Sequence, residues 1–116
     1  MWRRKKERTP ADIVAHQRAM NRDTWAALQE NGVTDGMQLR LDFFYVAPRR
    51  GASDELAGFL RAETDYDVRA DDTSVSGSTK PTTVSPRMLD DWVEWMVLAG
   101  HEHGRCEFDG WGAAIP

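Results

Sequence analysis

The chain holds a single cysteine, Cys106, so no disulfide can staple it internally, and a reducing compartment is the natural setting. It has no apolar run approaching the roughly 20 residues that span a bilayer. The opening MWRRKKER resembles the charged start of a signal peptide, but TPADIVAHQRAMNRD follows, with neither an apolar segment nor a cleavage-like site. A cytoplasmic protein is therefore expected. A glycine-rich phosphate loop is also missing, since Gly32, Gly36 and Gly51 stand apart from one another.

Net positive charge is confined to one place. Residues 1–8 hold five basic side chains against one acid, a local charge of +4, which leaves −8 on the other 108 residues of a chain whose total is −4. An acidic body argues against direct nucleic acid binding by the body, because phosphate needs clustered Lys and Arg. RNA, an acidic lipid surface or the acidic body itself stay open as contacts to the basic leader. The leader 1–8 reads as a frayed terminus. What remains, residues 9–116, is one ordinary domain: the whole chain is 41 % hydrophobic and 29 % charged, enough to bury roughly two thirds of its unfolded surface.

The organising stretch is Met37–Ala47, MQLRLDFFYVA. Leu39, Leu41, Phe43 and Tyr45 recur at every second position, the signature of a half-buried strand. Phe44 and Val46 break the alternation, so the strand is expected to run from an edge into a middle covered on both faces. Pro48 stops the pairing.

Thr9-Pro10-Ala11-Asp12 starts a first helix over 9–31, closed by Asn31-Gly32, with a narrow stripe of Ile13, Gln17, Met20, Thr24 and Leu28. Ser53 is expected to cap a second helix whose first turn carries Asp54 and Glu55. Its apolar face is Leu56, Phe59 and Leu60, and Gly58 marks a close approach to the sheet. Tyr66–Ala70 predicts an edge strand, and Val75–Thr79 a third, where Gly77 marks a bulge or a backbone on which another side chain, such as a Trp, lies. Ser85-Pro86 opens the strongest helix, with Leu89, Trp92, Val93, Met96 and Gly100 inward and Asp90, Asp91 and Glu94 outward. Arg105–Phe108 makes a short last strand, closed by a tight turn at Asp109-Gly110-Trp111-Gly112.

The order helix, strand–helix–strand, strand–helix–strand predicts an α+β ferredoxin-like sandwich over 37–116: a four-stranded antiparallel sheet with two helices on one face, plus the extra N-terminal helix. The first strand falls between the third and the last.

Few groups suggest chemistry. His101, His103 and Cys106 are the only ligand-like cluster, yet positions two apart on a helix diverge by about 200°. Cys106 has no orienting electropositive pocket in view. The pairs Asp54/Glu55, Asp71/Asp72 and Asp90/Asp91 point apart as sequence neighbours. No catalytic residue, metal or cofactor is expected. Trp111, set between glycines, either plugs the sheet end beside Gly77 with Asp109 bonded to turn amides, or anchors a protein partner.

LDFFYVAP at 41–48, VSGSTKPTTVS at 75–85, LDDWVEWM at 89–96 and HGRCEFDGWG at 103–112 together resemble the RraB family, the ribonuclease E inhibitor domain. The most specific part is Glu107-Phe108-Asp109-Gly110-Trp111. The resemblance implies a ferredoxin-like fold and a non-catalytic protein that binds ribonuclease E, or a related degradation complex, and lowers RNA turnover.

The expected function is thus an interaction module, with Phe44, Arg49, Arg50, Asp109 and Trp111 as partner contacts. The alternatives are a homodimer paired through an open sheet face (Arg40, Asp42, Phe44, Val46), and a zinc-dependent hydrolase using His101, His103 and Cys106.

Overall fold

A computed structural model describes residues 8–114; the basic leader, apart from Arg8, lies outside them. The chain is α+β. Helix α1 spans Pro10–Glu30, β1 Gln38–Leu39, β2 Leu41–Val46, α2 Arg50–Glu63, β3 Asp67–Ala70, β4 Ser74–Ser78, β5 Thr82–Thr83, α3 Pro86–Glu102 and β6 Glu107–Ala113. Four strands form an antiparallel sheet in the order β3-β4-β2-β6, and β1 and β5 form a separate two-stranded ladder. The strand from the Met37–Ala47 stretch is central, flanked by β4 and β6 as the sequence predicts. Among the described residues no helix is long and apolar enough to cross a membrane.

One face of the four-stranded sheet carries the core. Leu41, Phe43 and Tyr45 of β2 are buried together with Leu56 and Leu60 of α2 and Leu89, Val93 and Met96 of α3. Tyr45 donates its hydroxyl to the Met96 carbonyl at 2.6 Å, and its ring meets Phe43 and Phe108 edge-on at 6.1 and 5.3 Å. Burial pushes the Tyr45 phenol well above its ordinary pKa, with Tyr66 and Cys106 adding to the effect. The opposite face is bare. Phe44 is 49 % and Val46 50 % exposed, so β2 does not run into a middle covered twice.

Two helix starts match their capping signals. Thr9 and Asp12 bond each other's backbone N–H groups in a capping box, and the Ser85 hydroxyl accepts from the Met88 N–H. The second helix departs from expectation. Arg49, extended at φ −163°, leads straight into it, and Ser53 sits fully buried within the helix and does not cap it. The reason is packing: Ala52 must lie against the turn before β6, where a Cβ on Gly104 would stand 2.7 Å from the Ala52 carbonyl. Asp54 and Glu55 consequently fall beyond the first turn.

Further differences arise in packing and pairing. A Cβ on Gly58 would meet nothing within 4 Å; the close approaches belong to Gly77, Gly100 and Gly104. Gly77 lies under the Phe43 ring and against the Asp67 carbonyl, in an unbroken register, so a side chain does lie on its backbone as expected, a Phe and not a Trp, and there is no bulge. In α1 the inward residues are Ile13, Val14, Gln17, Asn21 and Leu28, while Met20 is 44 % exposed. Asp109–Gly112 is no turn but part of β6, with a register shift between Phe44 and Tyr45 of its partner strand. The chain reverses earlier, at Gly104 and Arg105, both in left-handed conformation at φ +100° and +58°. Finally, the Met37–Ala47 stretch, expected as one strand, breaks at Arg40, Gln38–Leu39 pairing with Thr82–Thr83 and only Leu41–Val46 entering the four-stranded sheet.

Gly100→Ala is expected to destabilise the protein by about 1–3 kcal/mol, because the new methyl would stand 2.5 Å from Tyr45 Cε1. Gly58→Ala, in open space on α2, is expected to stabilise it by about 0.5–1 kcal/mol. Urea denaturation of the two variants checks both signs.

Candidate functional site

The candidate site is the uncovered face of the sheet. Direct cross-strand partners share a face, so three rows can be read from the registers. Asp67, Ser78, Asp42 and Gly112 form one; Arg69, Ser76, Phe44 and Gly110 the next; Ser74, Val46 and Glu107 the third. Small residues therefore flank Phe44 and leave its ring standing clear. Asp42 accepts from the Ser78 hydroxyl at 2.6 Å, which fixes that carboxylate at the end of the strand. Asp67 is shared by Arg40 at 4.0 Å and Lys80 at 3.5 Å, exposed pairs that contribute little to stability but neutralise this corner.

The covered face fixes the frame through one polar relay. Trp111 Nε1 donates to Asn21 Oδ1 at 2.7 Å, and Asn21 Nδ2 donates to Asp90 Oδ1 at 2.9 Å, joining β6, α1 and α3. Trp111 also meets Trp92 edge-on at 6.2 Å, and Trp92 donates to the Tyr66 hydroxyl at 3.1 Å. Burial raises the Tyr66 phenol pKa, opposed by that hydrogen bond from Trp92. Asp90 therefore faces α1 and not solvent. Trp111 and Gly77 flank Phe43 from opposite sides, so Trp111 does not plug the sheet beside Gly77. A β-bulge at Asp109–Gly110, with Gly110 at φ +139°, lets Phe108 and Trp111 share the covered face although they are three residues apart.

The five predicted contact residues do not form one patch. Phe44 stands on the bare face and Asp109 is exposed at the bulge. Arg49 and Arg50 sit past the end of β2 at the start of α2, where Arg50 pairs with Asp72 at 3.4 Å. Trp111 is half-buried on the covered side, with its N–H already used. Sequence reasoning missed Asn21, because a polar residue beside an imperfect stripe looks solvated. It also missed Glu107 and the two glycines as a floor, because a seven-residue strand containing Asp-Gly-Trp-Gly reads as a turn.

His101, His103 and Cys106 are drawn apart by separate neighbours. His103 stacks on Phe59 with ring centroids 3.8 Å apart, and His101 contacts Arg105. The buried Cys106 thiol approaches the Ala52 and His103 carbonyls at 3.5 and 3.9 Å. Burial pushes that thiol's pKa up, reinforced by Glu55 and opposed by Arg49, which makes it a poor nucleophile. Among the described residues no three His, Cys, Asp or Glu side chains are placed to share a metal ion.

Asp71 holds the β3–β4 turn. It accepts from the Thr73 N–H at 3.0 Å and the Ser74 N–H and hydroxyl at 2.9 and 3.0 Å, and these bonds, Thr73 first, lower its pKa. A carboxylate depressed by folding stabilises the turn above its ordinary pKa and releases it as pH falls through the depressed value. Acid titration followed by the Thr73 and Ser74 amide resonances is expected to move on that schedule, and Asp71→Asn to remove the dependence. Asn21→Ala is expected to cost about 1–3 kcal/mol by leaving the Trp111 N–H without its acceptor, read by denaturation and near-ultraviolet dichroism.

No family model matches the chain, and no curated protein matches it.

Proposed function

We propose that this chain is a non-catalytic protein-interaction module of the ribonuclease E inhibitor kind, a ferredoxin-like sandwich whose bare sheet face holds a protein partner. The observation that carries the reading is the half-exposed pair Phe44 and Val46, at 49 % and 50 %, on a face where every flanking position is small or polar. Folding leaves such residues on a sheet surface at a cost in solubility, and a docking site is the ordinary reason. The strand order β3-β4-β2-β6, with α2 and α3 as crossovers, supports the sandwich. The acidic body favours a protein over RNA as the direct contact. The dispersal of His103 onto Phe59 and of Cys106 onto main-chain carbonyls supports a binding role over a hydrolytic one.

The test is capture of ribonuclease E from the native host by the purified chain, with RNA cleavage measured with and without it. Binding at micromolar protein or below and slower cleavage are expected. Phe44→Asp is expected to weaken capture by about tenfold or more without altering the circular dichroism. Absence of binding at micromolar protein would contradict the reading. A homodimer through the same face is the competing arrangement, and a monomer in sedimentation equilibrium counts against it.

A further inference from the structure

Among the described residues no strand lies beyond the rim strand β6. It pairs with β2 on one side only, and no hydrogen bond from a described residue reaches its other edge. Bare edges of this kind template further pairing unless they are short, twisted away by a bulge, or carry blocking charges and prolines; the bulge of β6 at Asp109–Gly110 leaves Gly110–Ala113 in continuous register as an edge. The opposite rim is blocked in that way: β3 has only four residues, and its Asp67 is tied to Arg40 and Lys80. Strand β6 has seven residues, with neither Lys nor Pro among them, and its two carboxylates, Glu107 and Asp109, enter no ion pair with a described residue.

The bare face next to this edge has a floor without side chains. A Cβ on Gly110 or Gly112 would meet nothing within 4 Å, and these residues lie opposite Phe44 and Asp42. The result is a low shelf one strand wide, open at the sheet edge. Phe44 and Val46 form its inner wall, and Asp42, Glu107 and Asp109 supply negative charge along it.

Charge and shape select the occupant. We propose that β6 takes a basic, extended segment of a protein partner as a fifth strand. Its Lys or Arg stems cross the bare glycines to the Phe44 ring, and their charged ends meet Asp42, Glu107 and Asp109. Adjacent strands lie about 4.8 Å apart, so a long cationic side chain can cross β6 and reach the next strand. Main-chain bonds supply affinity and the alternate side chains supply selectivity. A second copy's β6 would bring its own acids to the same rim, and a nucleic acid would bring phosphates; the carboxylates oppose both. The inference rests on the docking reading above and specifies the partner's chemistry.

The experiment titrates the nitrogen-15-labelled full chain with a decapeptide alternating Arg and Val. The controls are the same peptide with Glu for Arg, and one N-methylated at alternate amides. Shifts are expected at Phe44 and along Glu107–Ala113, weakening steeply with salt, with no binding by either control. Glu107→Lys combined with Asp109→Lys is expected to weaken binding by about tenfold or more. Shifts confined elsewhere, equal binding of the Glu peptide, undiminished binding of the N-methylated peptide, or displacement by a single-stranded oligonucleotide would each overturn the proposal. If the charge-reversed chain still captures ribonuclease E and Phe44→Asp does not, the docking reading stands and the fifth strand falls. If the peptide binds β6 and ribonuclease E is never captured, the fifth strand stands and that reading falls.

Discussion

Tyr45 joins the sheet to its roof, and the rest of the architecture is arranged so that it can. Its hydroxyl reaches the Met96 carbonyl only because Gly100, one turn later on α3, has no side chain to hold the helix off the ring. That close approach fixes α3, and α3 in turn carries Asp90 to Asn21 and Trp92 to Tyr66 and Trp111. With period-two geometry, placing Tyr45, Phe43 and Leu41 under the helices forces Phe44 and Val46 onto the other side. The bare face is thus a consequence of the same alternation that builds the core.

The parts of the fold that were legible in the sequence are those set by local chemistry. Thr9-Pro10 and Ser85-Pro86 announced two helix starts, and the alternation at 39–45 announced the central strand and its neighbours. The parts that were not legible depend on contacts far apart in sequence. Ser53 looks like a cap until Ala52 is seen to lie under Gly104. Asp109-Gly110-Trp111-Gly112 looks like a turn until the bulge opposite Phe44 and Tyr45 is counted. Leu39 keeps the period of the central strand, so nothing local shows that Gln38–Leu39 leaves that sheet to pair with Thr82–Thr83.

For the site, the residue that breaks a pattern was more informative than any motif. Phe44 stood out because an aromatic occupied a position the alternation reserved for polar residues, and it is the residue that stands clear of the sheet. Trp111, which the sequence offers as either a plug or an anchor, spends its N–H on Asn21 and serves the frame. The glycines beside it were conspicuous for the wrong reason. They do not turn the chain but leave the surface of β6 bare next to Phe44, where acids outnumber bases.

Strand β2 has one buried and one open face in the isolated chain, a contrast that hydroxyl-radical footprinting of the purified protein reads by comparing adjacent aromatics of similar reactivity. Rapid oxidation of Phe44 is expected, with Phe43 and Tyr45 protected, unchanged on dilution. Protection of Phe44 equal to that of Phe43 would contradict the open face.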